Sequence, residues 1–245
     1  MEFKTAWIAV AACFVGFVGG FMLANSLNRS EIAGTTSPNM APNGMSEQDA
    51  IRAAATLTPE EIRSRIESAD QNPRDFTFQK SLGLSLYRYA SLKQDSEILP
   101  ETIRIMQRAL DLDPADRDLQ IGLGNAHFDV GYFKKDNASF ERARSFYRKA
   151  LERVRSDVDV RCDLALTYFL NDPPDLETAI VEFEKGLEFN PRHERSLQFL
   201  TQTYLKAEKT AKAAETLERL RSANPSNPTI PEFSVLLAQS EPSAK

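Results

Sequence analysis

The chain has 245 residues and a net charge of −5, with 35 acidic residues against 30 basic ones. Such a balance leaves no electrostatic footprint for nucleic acid, and no nucleic-acid partner is expected. Two cysteines, Cys13 in an apolar stretch and Cys162 far from it, cannot build a disulfide framework, and neither His127 nor His193 has a partner at metal-ligand spacing. No metal or other cofactor is expected.

Residues 1–4 form a short N-terminal tail. Residues 5–28 then carry no charge and are dense in Ala, Val, Phe and Gly. A helix needs about 20 such residues to cross a bilayer, whereas the apolar core of a cleavable signal is usually about 7 to 15. The best cleavage candidate, Met22-Leu23-Ala24, has a large residue at its −3 position. The stretch is therefore expected to be an uncleaved transmembrane signal anchor, making a single-pass membrane protein. Lys4 and Arg29 oppose each other, so the positive-inside rule gives little bias. A very short tail before a long domain usually stays inside, which places the domain on the extracytoplasmic side, in a bacterial inner membrane. Ala12, Gly16, Gly20 and Ala24 recur every four residues. This small-residue stripe is a candidate face for packing two membrane helices into a homodimer.

Residues 29–57 read as a flexible linker. Gly34 to Pro38 and Pro42 to Gly44 are turn and breaker signals, and Ser46 to Ala55 has the pattern of a short helix. Patterning resumes over 58–240. Thr58-Pro59-Glu60-Glu61 combines an N-cap, a proline at the first helical position and a capping-box glutamate. It predicts a capping helix over 59–70 with Ile62, Ile66 and Ala69 inward.

A ruler with spacings of 4, 3 and 5 follows. It reads Thr102, Met106, Ala109, Pro114; then Ala143, Tyr147, Ala150, with Arg155 in place of proline; then Ala179, Phe183, Gly186, Pro191; then Ala213, Leu217, Leu220, Pro225. Offsets of 3 and 4 share one helix stripe, small residues admit a neighbouring helix, and proline halts the helix. Each ruler has an upstream partner: Leu82-Gly83-x2-Leu86, Leu123-Gly124-x2-His127, Leu164-Ala165-x2-Tyr168 and Leu200-Thr201-x2-Tyr204. These define repeats at 76–116, 117–157, 158–193 and 194–227. The first two are seven residues longer than a 34-residue period, and the excess is expected between their two helices as longer helices or as a pair of loops forming a lip. Pro228 and Pro231 then break the chain before a last capping helix over 231–239, and 241–245 form a tail.

The two elements resemble the Leu-Gly-x2-Tyr and Ala-x3-Phe-x2-Ala-x4-Pro signatures of the tetratricopeptide repeat (TPR). The likeness covers roughly residues 76 to 227. The family's first-helix tryptophan is absent, with Gln79, Gln120, Arg161 and Leu197 in its place. The resemblance implies an all-α fold, a right-handed superhelix of four helix-turn-helix repeats with a cap at each end, behind one transmembrane helix. It also implies a protein or peptide partner held by the first helices. Its ligand-facing positions fall on Lys80, Leu84, Tyr87 and Arg88 in the first repeat and on Asn125, Phe128 and Asp129 in the second. In the third they fall on Asp159, Cys162, Leu166, Phe169 and Leu170, and in the fourth on Arg195, Gln198, Gln202 and Lys206. About half are expected to be core. Leu84 stands where chaperone-tail-binding members carry a clamp asparagine, so that ligand is not expected. No phosphate loop, zinc motif or nucleophile elbow is present, and the acidic residues Asp111, Asp113, Asp157, Asp159 and Asp163 read as helix-start charges. The expected function is a membrane-anchored scaffold without enzymatic activity. Two narrower readings are presentation of apocytochrome for haem attachment in cytochrome c maturation, and assembly of secretion or envelope machinery.

Overall fold

The computed structural model describes residues 58–240. The expected anchor with Ala12, Gly16, Gly20 and Ala24, the linker and the C-terminal tail lie outside the described residues. Among the described residues no helix is long and apolar enough to cross a membrane.

Those residues form ten helices and no strand: α1 (Pro59–Gln71), α2 (Phe76–Lys93), α3 (Leu99–Leu112), α4 (Arg117–Lys134), α5 (Asn137–Arg153), α6 (Val158–Phe169), α7 (Leu176–Phe189), α8 (Glu194–Lys206), α9 (Thr210–Ala223) and α10 (Ile230–Ser240). Local chemistry explains the starts. Thr58 and Glu61 form the capping box at α1. Asp75, Asp116, Asp157 and Asp175 each accept a backbone N–H three residues on, at 2.9 to 3.1 Å. The stops are equally regular. The second helices α3, α5, α7 and α9 end at Leu112, Arg153, Phe189 and Ala223, each three residues past the ruler's last small or apolar position. α5 stops there without the proline that follows the other three. A turn closed by an N–H to carbonyl bond recurs after the helices, from Asp157 to Val154, His193 to Asn190 and Asn227 to Asn224. That turn, rather than proline, sets the end.

The residues divide into two compact units, one ending at Pro114 and one starting at Ala115. In the first, α1, α2 and α3 enclose Ile62, Ala69, Leu82, Leu86 and Ile105. Gln79, at the missing tryptophan's position, is fully buried and donates to the carbonyls of Ala69 and Asn72 at 2.6 and 2.9 Å, tying the α1–α2 turn to α2. Arg104 and Arg108 of α3 both reach Asp70 at the end of α1, at 2.6 and 3.0 Å.

In the second unit each helix from α4 to α9 packs on the next, and α10 rests on α9 and α8. The ruler residues Ala143, Tyr147, Ala150, Ala179, Phe183, Ala213, Leu217 and Leu220 are buried throughout. Phe183 of α7 stacks on Phe199 of α8 at 6.5 Å. Phe233 and Ile230 anchor α10, which covers apolar surface that α8 and α9 would otherwise expose.

The extra length of the first two repeats lies mainly in their first helices. α2 and α4 have 18 residues each, against 12 and 13 for α6 and α8. α4 and α5 are joined by Lys135 and Asp136 alone, so the second repeat has no projecting loop; α2 and α3 are joined by residues 94–98. The carboxylates also differ from expectation in part. Asp157 caps α6 as a helix-start charge should, but Asp111 and Asp113 stand at the C-terminal end of α3, and Asp163 lies buried inside the second unit.

Candidate partner-binding faces

The ligand-facing positions lie on first helices, so their exposure depends on how much of each helix its neighbours cover. In the first unit Lys80, Leu84 and Arg88 of α2 are half-buried, while Tyr87 is buried. These four fall at offsets that share one side of α2.

In the second unit the positions divide sharply. On α4, Asn125 and Asp129 are half-buried and Phe128 is buried, its ring edge-on to Phe140 at 5.7 Å. Asn125 is held in place because its Oδ1 accepts the Tyr147 hydroxyl at 2.9 Å. That contact requires Gly124: a Cβ there would meet Tyr147 at 2.6 Å. On α6, Cys162, Leu166 and Phe169 are buried, while Asp159, and Leu170 just past the helix end, stay half-buried.

On α8, Arg195 and Gln198 point into the interior instead of outward. Arg195 pairs with Asp163 of α6 at 2.7 Å, with their side chains only 9% and 8% exposed. Its Nε and Nη1 are buried without a hydrogen-bond partner. Gln198 is buried and accepts from Asn227 at 3.2 Å, in the turn that leads to α10. The neighbouring His193 caps α8 and touches both Ser196, at 2.8 Å, and Asp159, at 3.3 Å. Nothing in the local pattern separates Arg195 from the outward position the repeat spacing assigns it. Asp163 lies 32 residues upstream, and only the packing of α6 on α8 brings the two together.

Further along the same helix Gln202 is half-buried and Lys206 exposed. The Lys206 ammonium lies 5.0 Å from the Phe169 ring centroid. Its pKa is lowered by burial, and the charge of Asp172 works against that shift. Phe169, Leu170, Gln202 and Lys206 thus bring an aromatic edge, an aliphatic group, an amide and a cation to adjoining helices. A cleft of about 450 Å³ also opens among Glu215, Glu218, Arg221 and Leu237, but it is formed by a second helix and the cap. Among the described residues no group of three His, Cys, Asp or Glu side chains could hold a metal ion.

The helix pairing has close counterparts among solved structures. The crystal structure of a MamA protein matches with a TM-score of 0.54 at 15% identity, covering 73% of this chain and 93% of that one. The C-terminal part of a TPR repeat-containing protein from Cytophaga hutchinsonii matches at 0.55 and 16%, covering 79% and 75%. A thermophilic TPR protein from Thermus thermophilus matches at 0.53 and 14%, covering 80% and 98%. The fold is that of the tetratricopeptide repeat. At these identities the likeness speaks for the fold alone. No protein-family model and no curated protein matches the chain. The TPR architecture is suited to protein–protein interaction, because its first helices carry side chains on neighbouring faces that an extended or helical peptide can read.

Proposed function

We propose that this chain is a membrane-anchored TPR scaffold that holds a protein or peptide partner at the membrane surface. The observation that carries the reading is the division along the first helices of the second unit. Arg195, Gln198, Phe128, Cys162 and Leu166 are spent on packing, while Asn125, Asp129, Gln202 and Lys206 remain within reach of a ligand. Mixed amides, both charge signs and an aromatic edge suit a peptide better than a small apolar molecule. On α2, Lys80, Leu84 and Arg88 offer two cations around an aliphatic group.

The uncharged residues 5–28 support the anchor, and their small-residue stripe supports pairing of two such helices. We propose the extracytoplasmic side of a bacterial inner membrane for the repeats.

Two measurements test this. A photo-crosslinking residue is placed at Gln202 or Lys206 of the full chain in its native cells, with exposed Glu188 as the control position. A discrete adduct from 202 and 206 and none from 188 is expected; the same weak smear from all three overturns the groove. Protease added to cells made permeable only at the outer surface should digest the repeats, and protection until the inner membrane is lysed overturns the extracytoplasmic placement. The identity of the captured protein separates apocytochrome presentation from assembly of secretion or envelope machinery.

A further inference from the structure

The chain is acidic overall, yet its charge is unevenly placed. Between Phe133 and Arg155 there are eight Lys or Arg and three Asp or Glu, a net +5, so the other 222 residues carry a net −10. This window is the tip of the α4–α5 hairpin and the whole of α5.

Two of the eight cations are occupied. Arg144 is buried, bonded to Glu141, Thr167 and Asn171, and Arg148 donates to the Tyr168 hydroxyl. The other six, Lys134, Lys135, Arg142, Lys149, Arg153 and Arg155, are exposed, and among the described residues none of them forms an ion pair. The local carboxylates do little to neutralise them. Glu141 is taken by Arg144, and Asp136 is bound by the N–H groups of Ala138 and Ser139 and by the Ser139 hydroxyl. Glu152 remains as the exposed counter-charge.

Arg142, Lys149 and Arg153 are spaced seven and four apart, so they share one stripe of a helix about 25 Å long. At the hairpin tip Phe133 is 39% exposed, edge-on to Tyr132 at 5.6 Å and next to Lys134 and Lys135. These side chains lie along the α4–α5 hairpin. Its face is a rod of long cationic side chains with an aromatic ring at one end, the composition that lies on a headgroup layer.

We infer that the α4–α5 face docks on anionic phospholipid headgroups and holds the second unit against the membrane. This rests on the anchor proposed above. The 29 residues between the proposed anchor and Thr58 reach at most about 100 Å even if fully extended, which keeps the face at high effective concentration next to the bilayer. Attachment is then two-point: an apolar anchor that retains the chain, and a salt-sensitive face that orients the repeats.

The test uses the full chain in nanodiscs of phosphatidylcholine alone or with a third of phosphatidylglycerol, labelled with a water-soluble amine reagent and read by peptide mass spectrometry. At low salt, Lys134, Lys135 and Lys149 are expected to label at least threefold more slowly in the anionic discs, with Lys93 and Lys212 unchanged. The protection should vanish at 0.5 M NaCl and in the variant R142E/R153E/R155E, which keeps the three lysines as reporters and whose helical circular dichroism should match the parent. Equal labelling in the two discs overturns the proposal; protection that appears in neutral discs only on adding polyglutamate assigns the face to an acidic polypeptide instead. A chain that enters neither disc removes the anchor, and this inference with it.

Discussion

Glycines at two different positions of the repeat motif, one in a first helix and one in a second, do different work. A Cβ on Gly124 would press on the Tyr147 ring at 2.6 Å, and that ring is fixed between α4 and α5 with its hydroxyl on Asn125. Gly124→Ala is therefore expected to lower stability by about 1–3 kcal/mol, through overpacking and loss of the Asn125 bond. At Gly186 the nearest atom would be Val158 Cγ1 at 3.4 Å, close to ordinary contact. Gly186→Ala should be neutral or stabilising by up to about 1 kcal/mol, from helix propensity. Urea midpoints of the two variants check the contrast, and equal losses would refute it. His127 stands where the family motif has tyrosine. Its ring stacks on Phe146 at 5.7 Å, its Nδ1 is buried without a partner, and burial, with help from Arg142, lowers its pKa to about 4. The unfolded chain titrates near ~6.5 and so binds more protons between these values. This residue's contribution to stability is thus complete above pH ~6.5 and drains away as pH falls toward 4. The loss should be on the order of 1–2 kcal/mol for a ring that is partly solvated. His127→Phe should flatten the fall in urea midpoint between pH 7 and pH 4.5; an unchanged slope would assign it to other groups.

Helix boundaries here are set by side-chain caps at the start and a hydrogen-bonded turn at the end, with proline as an accessory. Asp157→Ala removes the cap of α6 and should cost about 1 kcal/mol. Pro191→Ala should cost much less, since α5 stops at the corresponding place with no proline. The α6–α8 contact is the more sensitive joint. Asp163→Ala would leave the Arg195 guanidinium buried and uncompensated, and is expected to destabilise the second unit by about 3 kcal/mol or more. Replacing the pair together by Leu and Met should recover most of that loss, because the desolvation of both charges is removed with their attraction. Thermal unfolding of the single and double variants distinguishes a stabilising pair from one that merely must not be broken.

Stacked repeats derive stability from interfaces with their neighbours, so the ends of the array need cover. α10 supplies it for α8 and α9 through Phe233 and Ile230. Ending the chain at Ser226 is expected to lower the melting temperature by several degrees and to raise binding of an apolar dye, as Leu217 and Leu220 lose shielding. Unchanged melting would mean that the fourth repeat is self-sufficient. Net charge is a poor guide at this level. The value of −5 conceals a +5 segment that a sliding charge count along the chain would have found.

Helix number, register and ends are legible in the amino-acid order because they depend on interactions within about one turn: the 3- and 4-residue offsets of Ala179, Phe183 and Gly186, the Thr58–Glu61 box, the aspartates ahead of α6 and α7. The TPR fold follows from the same short-range marks repeated four times. The proposed membrane anchor and the identity of a partner are questions of a bilayer and a second molecule. The exposure of the binding positions depends on packing between helices far apart in the chain. Repeat spacing treats Arg195 and Gln202 as equivalent outward positions. The approach of α6 and the turn into α10 bury Arg195 and Gln198, and leave Gln202 and Lys206 in reach of solvent. Burial is a property of neighbouring surfaces, and no local spacing encodes which neighbour arrives.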